Sequence, residues 1–264
     1  MTPAPSHIAA VCFDLDDTLY PQSDWLHGAW ATVAARAAHD GVNEQAMRRA
    51  LEEITSEGSD RGRIIDRALE RLGAPHVPVA PLVDAFRRYD AHVLEPFPGV
   101  RAGLTRLAAH VPLGLVSDGD PMIQRSKLAA LGLVDAFHVV VWSDKHGRRH
   151  RKPDPLPFRR AVDLLGVGAD ETVFVGDRPD KDVAGATAAG LVAIRVRTGE
   201  WVGHADPDEA WASVANVAEA IDLVAGVLEG AAERGARHVG PGVRGQASST
   251  PASTRKSRKP GASR

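Results

Sequence analysis

Five short runs of apolar and β-branched residues recur along the chain, at Ile8–Leu15, Val111–Ser117, Phe137–Trp142, Thr172–Gly176 and Val192–Val196. Several are nearly continuous in apolar residues instead of alternating with polar ones. Such a strand must be covered on both faces, which is the setting of a parallel sheet between helices. Helical patterns lie between the runs. Val100–Ala109 carries Leu104 and Leu107, Pro121–Leu131 carries Ile123, Leu128 and Leu131, and Leu156–Leu165 carries Phe158, Ala161, Val162 and Leu165. This alternation predicts an α/β fold with a doubly wound parallel sheet, its right-handed crossovers placing helices on both faces.

One interval breaks the alternation. From Pro21 to Phe97 no strand pattern stands out, and four helical stretches fit near Asp24–His39, Asn43–Thr55, Arg61–Leu72 and Val79–His92. The breaks "DGVN", "SEGSD" and "GAPHVPVAP" carry turn residues, and Pro-bearing "YPQ" and "EPFPG" bound the interval. The chain therefore divides into an α/β core at 1–20 and 98–230, an inserted all-helical domain at 21–97, and a tail at 231–264. The tail segment "GPGVRGQASSTPASTRKSRKPGASR" is rich in Gly, Ser, Pro and basic residues, which predicts disorder. The last helix is expected to end near Gly230 or Arg234.

With 264 residues and 44% hydrophobic side chains, the chain can bury the core of one or two domains. Net charge is -2, but Ala231–Arg264 holds eight Lys/Arg against one acid, a net of +7, so the rest carries -9. Weak contact of this tail with a polyanion is the extent of nucleic-acid binding expected. The one cysteine, Cys12, excludes an intrachain disulfide and reads as a small buried strand residue. The N-terminal "MTPAPSHIAA" lacks the basic and apolar regions of a signal peptide. No uncharged apolar run approaches the roughly 18 residues of a spanning helix. These features predict a soluble, cytoplasmic protein with no membrane partner.

The first strand ends in "FDLDDTLY", which sets Asp14, Asp16 and Asp17 beside an apolar run. Clustered carboxylates in a hydrophobic setting repel one another and ionise with difficulty. They call for a compensating cation or for a functional role. The other strand ends are equally distinctive: "LVSDGD" offers Ser117, Asp118 and Gly119, "RRHRKPDP" offers Lys152, and "VFVGDRPDKD" offers Gly176, Asp177, Asp180 and Asp182. In an open α/β sheet, ligands bind beyond the carboxyl ends of the strands. Carboxylates, a hydroxyl and a lysine converging there suit a divalent cation and a phosphoryl group, since Mg²⁺ pairs carboxylates with substrate phosphate.

The four motifs "DLDDT", "SDG", "KPDP" and "GDRPDKD", in this order, resemble the haloacid dehalogenase superfamily over Ile8 to Arg197. The similarity is to its capped phosphatase members, of the phosphoglycolate phosphatase type, with the helical insertion matching their cap. The resemblance implies a Mg²⁺-dependent phosphomonoesterase acting on a small soluble phosphate ester through an aspartyl-phosphate. It implies Asp14 as nucleophile and Asp16 as the acid that protonates the leaving oxygen and then the base for water. Thr18 would close the turn. Ser117, with backbone N–H groups near Asp118 and Gly119, would hold phosphoryl oxygens, and Lys152 would neutralise charge. The implied metal ligands are Asp14, the Asp16 carbonyl and Asp177, with Asp182 orienting Lys152 or a metal-bound water and Asp180 as the alternative. Asp118 stands where Asn is common in the family. The acid at position 16 argues against dehalogenation. A phosphomutase of the same superfamily is the nearest alternative. A non-catalytic regulatory protein using the basic tail is the more distant one.

Some residues read more plainly. Asp17 suits an exposed turn as well as a site. Lys181 reads as a solvated helix charge, and Arg148, Arg149, His150 and Arg151 as a solvated loop more than a phosphate-steering patch. Trp25 and Trp30 read as core of the helical insertion, while His27, Arg61 and Arg63 read as helix-surface positions.

Overall fold

The computed structural model describes residues 4, 5, 7–59 and 61–238, with the side chains of 233–238 left undescribed. Six parallel strands form one sheet in the order β3-β2-β1-β4-β5-β6. They are β1 Ala10–Phe13, β2 Leu113–Ser117, β3 Val139–Trp142, β4 Thr172–Gly176, β5 Val192–Val196 and β6 Ala212–Val214. The chain winds outward from β1 in both directions, so the crevice for a ligand opens beside the end of β1.

Strand pleating divides each run between two cores. Val11 and Phe13 join a cluster with Val100, Leu104 and Leu107 of α5 (Val100–Ala108), Leu128 of α6 (Pro121–Ala130), and Val217, Ala220 and Ile221 of α9 (Val217–His238). Cys12 faces the other way. It packs with Val116, Phe174 and the Phe158, Ala161 and Val162 of α7 (Leu156–Leu165). Burial on both faces explains the near-continuous apolar runs.

Between β1 and β2, four helices run Gln22–Ala38 (α1), Glu44–Ser56 (α2), Ile64–Arg71 (α3) and Val79–Arg88 (α4). Trp30, Val33, Met47, Leu51, Ile54, Leu69 and Leu82 form their own apolar cluster. Trp25 departs from the sequence reading: it belongs to the cluster that includes the sheet, with its ring edge-on to Phe86 and Tyr89. It joins the helical unit to the α/β unit.

Three boundaries also differ. The first strand spans four residues, because Asp14 to Tyr20 turn away from the ladder after Asp14 N–H bonds the Val175 carbonyl at 2.9 Å. The edge strand β6 was not anticipated: three partly exposed residues, Ala-Ser-Val, make no apolar run. The final helix continues to His238, past the expected end, and the rest of the basic tail, 239–264, lies outside the described residues. Among the described residues no helix is long and apolar enough to cross a membrane.

A fully buried arginine fixes the loop after β5. Arg195 donates to the carbonyls of Trp201, His204 and Ala205 at 2.7–2.8 Å and to Asp206 at 2.8 Å. The loop so held carries Gly199 and Glu200 to the end of β1. Glu200 accepts the Ser59 N–H at 3.2 Å, which ties this loop to the helical unit.

Candidate active site

A cavity of about 560 Å³ lies over the strand ends. Its floor includes Asp14, Asp16, Ser117, Asp118, Gly119, Lys152 and Asp177, and its roof Trp25, Leu26, Trp30, Ile64, Ile65 and Phe86 of the helical unit. Thr18 and Asp182 do not line it; they support those that do.

Asp14 is 5% exposed, and Lys152 Nζ donates to it at 2.5 Å and to Asp182 at 2.7 Å. Gly176 makes this arrangement possible, since a Cβ there would sit 2.5 Å from the Asp182 side chain. Asp182 also accepts the Arg178 N–H at 3.0 Å. Asp180 instead pairs with Arg178 at 2.9 Å, so of the two acids it is Asp182 that meets Lys152. Asp177 is buried, and Thr18 Oγ1, at 3.4 Å, is the one described side-chain donor to its carboxylate.

Burial, with the neighbouring acids Asp182 and Asp16, pushes Asp14 up to about 7 despite Lys152. Burial and the same crowding raise Asp177 well above the ordinary carboxylate range. Burial alone would lower Lys152, but Asp14, Asp182 and Asp118 hold it above the usual lysine value. Asp14, Asp177 and Asp182 offer oxygens within 4.8 Å of one another. These three carboxylates, once ionised, would outnumber the single ammonium by two charges. Hard oxygen donors with that excess fit a divalent cation such as Mg²⁺.

This charge excess sets an expected pH dependence. Asp14 and Asp17 have folded pKa values raised to about 7 and about 6, above the unfolded value of 3.8. The stability they contribute is full below the unfolded value and is lost as pH rises through the folded values. Metal-free protein should therefore lose thermal stability between about pH 4 and about pH 7. A divalent cation held in the acidic cluster would bind the ionised carboxylates, so added Mg²⁺ is expected to raise Tm most at about pH 8 and progressively less toward about pH 6. Differential scanning fluorimetry with Mg²⁺ or EDTA measures both trends, and a pH-independent Mg²⁺ effect would contradict the assignment.

Two departures concern neighbouring acids. Asp17 is not an exposed turn residue. It is 9% exposed with φ 59°, accepts the Gln22 N–H at 2.9 Å, and its carbonyl accepts the Thr198 hydroxyl. Gly199, with φ +63°, is required there, since a Cβ would sit 2.3 Å from the Asp17 carboxylate. Asp118 turns its carboxylate toward the third strand, accepting the Ser143 hydroxyl at 2.6 Å and the Lys152 N–H at 3.1 Å. Its charge is thus spent on fixing the loop that carries Lys152. Arg151 is likewise no free solvated charge: it clamps Asp144 through two bonds of 2.5 and 2.6 Å. Lys181, read as a solvated charge, is only partly exposed and lines the cavity.

Asp16 has a different environment from Asp14. Its carboxylate accepts Tyr20 Oη at 2.6 Å, Gln124 Nε2 at 2.7 Å and Lys127 Nζ at 2.7 Å. Burial alone would raise its pKa, but Lys127, Tyr20 and Gln124 pull it below the ordinary range. None of these three partners was picked out from the sequence. The signal lay in α6, whose buried stripe at i, i+3, i+4 and i+7 reads Gln124, Lys127, Leu128, Leu131. Two long polar residues on a core-facing stripe require a buried partner.

A family model for haloacid dehalogenase-like hydrolases matches residues 8–190. The chain is 39% identical over 202 residues to a glyceraldehyde 3-phosphate phosphatase of Methanopyrus kandleri, covering 74% of this chain and 86% of that one. It is 32% identical over 229 residues to a phosphoglycolate phosphatase of Yersinia pseudotuberculosis, covering 82% and 94%. Among solved structures, a HAD phosphatase from Thermococcus onnurineus matches with a TM-score of 0.60 at 25% identity, covering 82% of this chain and 98% of that one.

Proposed function

The chain belongs to the haloacid dehalogenase-like hydrolases, and from that premise we propose that it is a Mg²⁺-dependent phosphomonoesterase acting through an aspartyl-phosphate. The observation that carries this reading is the contrast between two carboxylates two residues apart. Asp14 faces Lys152 and the acidic cluster, while Asp16 faces Lys127, Gln124 and Tyr20. Without metal the two environments raise Asp14 and lower Asp16, so the roles of nucleophile and proton donor require a bound cation that ionises Asp14 and a substrate that draws Asp16 away from Lys127.

In the first step an Asp14 oxygen bonds to phosphorus as the ester P–O bond breaks, and the leaving oxygen takes a proton from the protonated form of Asp16, a form that the Lys127 contact disfavours in the substrate-free site. In the second, water gives a proton to Asp16 while its oxygen bonds to phosphorus. The Asp14–phosphorus bond breaks, releasing inorganic phosphate and restoring the carboxylate. The Ser117 hydroxyl and the N–H groups near Asp118 and Gly119 hold phosphoryl oxygens, and Lys152 offsets charge on the nucleophile and the transferring group. Asp14, Asp177 and the Asp16 carbonyl would hold Mg²⁺, with Asp182 behind them. The ion supplies charge neutralisation on the transferring phosphoryl group.

Helices α1 to α4, residues 21–97 with their linkers, act in this reading as a cap that excludes bulk water. The named relatives act on glyceraldehyde 3-phosphate and phosphoglycolate, so a two- or three-carbon phosphate ester is the substrate class proposed. A panel of small phosphate esters, assayed for released phosphate with Mg²⁺ and with EDTA, tests this. Turnover should appear for at least one such ester with Mg²⁺ and vanish in EDTA. Equal turnover in chelator, or formation of an isomerised sugar phosphate in place of free phosphate, would contradict it.

A further inference from the structure

Lys127 is 3% exposed in a chain that could have placed leucine on the same helical stripe. Burying an ammonium carries a large desolvation cost, and packing alone does not repay it. Its Nζ lies 2.7 Å from Asp16 Oδ1 and 4.6 Å from the centroid of the Trp25 ring. One turn earlier on the same helix, Gln124 Nε2 donates at 2.7 Å to Asp16 Oδ2 and at 2.7 Å to Ser117 Oγ. Helix α6 thus grips both carboxylate oxygens of Asp16 and ties them to the hydroxyl placed on the phosphoryl group. Trp25 closes the far side of the lysine from the helical unit.

We propose that Lys127, together with Gln124, is a positioning residue for hydrolysis, acting through Asp16 by fixing its carboxylate relative to Ser117. The proposal rests on the phosphatase reading. Lys127 touches no substrate atom in it. Its loss leaves Asp14 able to attack phosphorus but leaves Asp16 held by Tyr20 and Gln124 alone, less firmly fixed toward the leaving oxygen. The defect must then grow with the leaving group's need for a proton.

The test uses the full chain with Mg²⁺ and two probes, p-nitrophenyl phosphate and phenyl phosphate, whose phenolate is the poorer leaving group. Lys127→Met should lower kcat on phenyl phosphate by about 100-fold, the scale of general acid–base catalysis, with KM little changed. On p-nitrophenyl phosphate the drop in the phosphorylation step, read as the initial burst of nitrophenolate, should be about tenfold smaller. Asp16→Asn combined with Lys127→Met should be no slower than Asp16→Asn alone, because the lysine acts through that carboxylate. If Lys127→Met does not fold, Gln124→Leu, which keeps the cation, should show the same leaving-group selectivity at smaller amplitude. Equal losses on both probes, or a double variant slowed by the product of the single effects, would overturn the proposal and leave a structural role. Wild-type protein that releases phosphate neither from these probes nor from any small phosphate ester would overturn the phosphatase reading, and the proposal with it. Wild-type turnover with an unselective Lys127 variant would overturn the proposal alone.

Discussion

Asp14→Asn should lower turnover by about 10⁴-fold or more, the scale seen when a nucleophile is removed, while leaving the protein folded. The substitution is nearly isosteric, and the amide oxygen can still accept from Lys152. It also removes from a crowded cluster the carboxylate that burial, with the neighbouring acids Asp182 and Asp16, pushes up to about 7. Metal-free Asp14→Asn should therefore unfold at or above the wild-type temperature near neutral pH. On that outcome the proposed nucleophile is held at some cost to stability, as is common where function and stability compete. Thermal unfolding in EDTA beside steady-state turnover measures both halves. Loss of both activity and stability would assign Asp14 a structural role.

Lys152→Met should show the opposite pairing, losing stability together with activity. Lys152 is the one cation within bonding distance of both Asp14 and Asp182 among the described residues. Its removal leaves buried carboxylates without a partner, which typically destabilises by about 3–5 kcal/mol. Loss of a fixed charge aimed at the transferring group should lower kcat by roughly 10²–10³-fold. Because the acidic cluster then lacks its internal cation, Mg²⁺ should stabilise this variant more than it stabilises the wild type. Urea unfolding with and without Mg²⁺ provides the comparison, and a variant as stable as wild type in EDTA would contradict the assigned charge balance.

Much of this arrangement was legible because the topology does the gathering. A parallel strand buried on both faces announces itself by a continuous apolar run, and its carboxyl end is where polar residues become accessible. Asp14, Ser117, Lys152 and Asp177 each follow such a run, at or just beyond the strand it ends or in the loop leading from it, and they meet in one cavity. The edge strand Ala212–Val214 escaped because pairing only with β5 leaves it partly exposed, so its composition carries no apolar signature. The environment of Asp16 escaped for a different reason. Lys127 and Tyr20 become its partners only through the packing of α6 and the turn after β1, and an isolated lysine in a helix usually reads as a solvated charge. Asp17 was ambiguous because a left-handed turn tolerates aspartate whether or not it is buried. Its burial comes from Gly199, 182 positions away, on a loop shaped by the buried Arg195.

In the proposed mechanism, phosphorus becomes covalently bound to Asp14. The most direct measurement mixes wild-type protein with excess p-nitrophenyl phosphate and Mg²⁺, quenches in acid within the first turnovers, and maps the added phosphoryl group by peptide mass spectrometry. One phosphoryl group is expected on the peptide containing Asp14, absent from Asp14→Asn and accumulating in Asp16→Asn, where water is no longer activated. An unmodified Asp14 peptide in protein that turns over, with Asp16→Asn also unlabelled, would contradict it and point to direct attack by water on the ester.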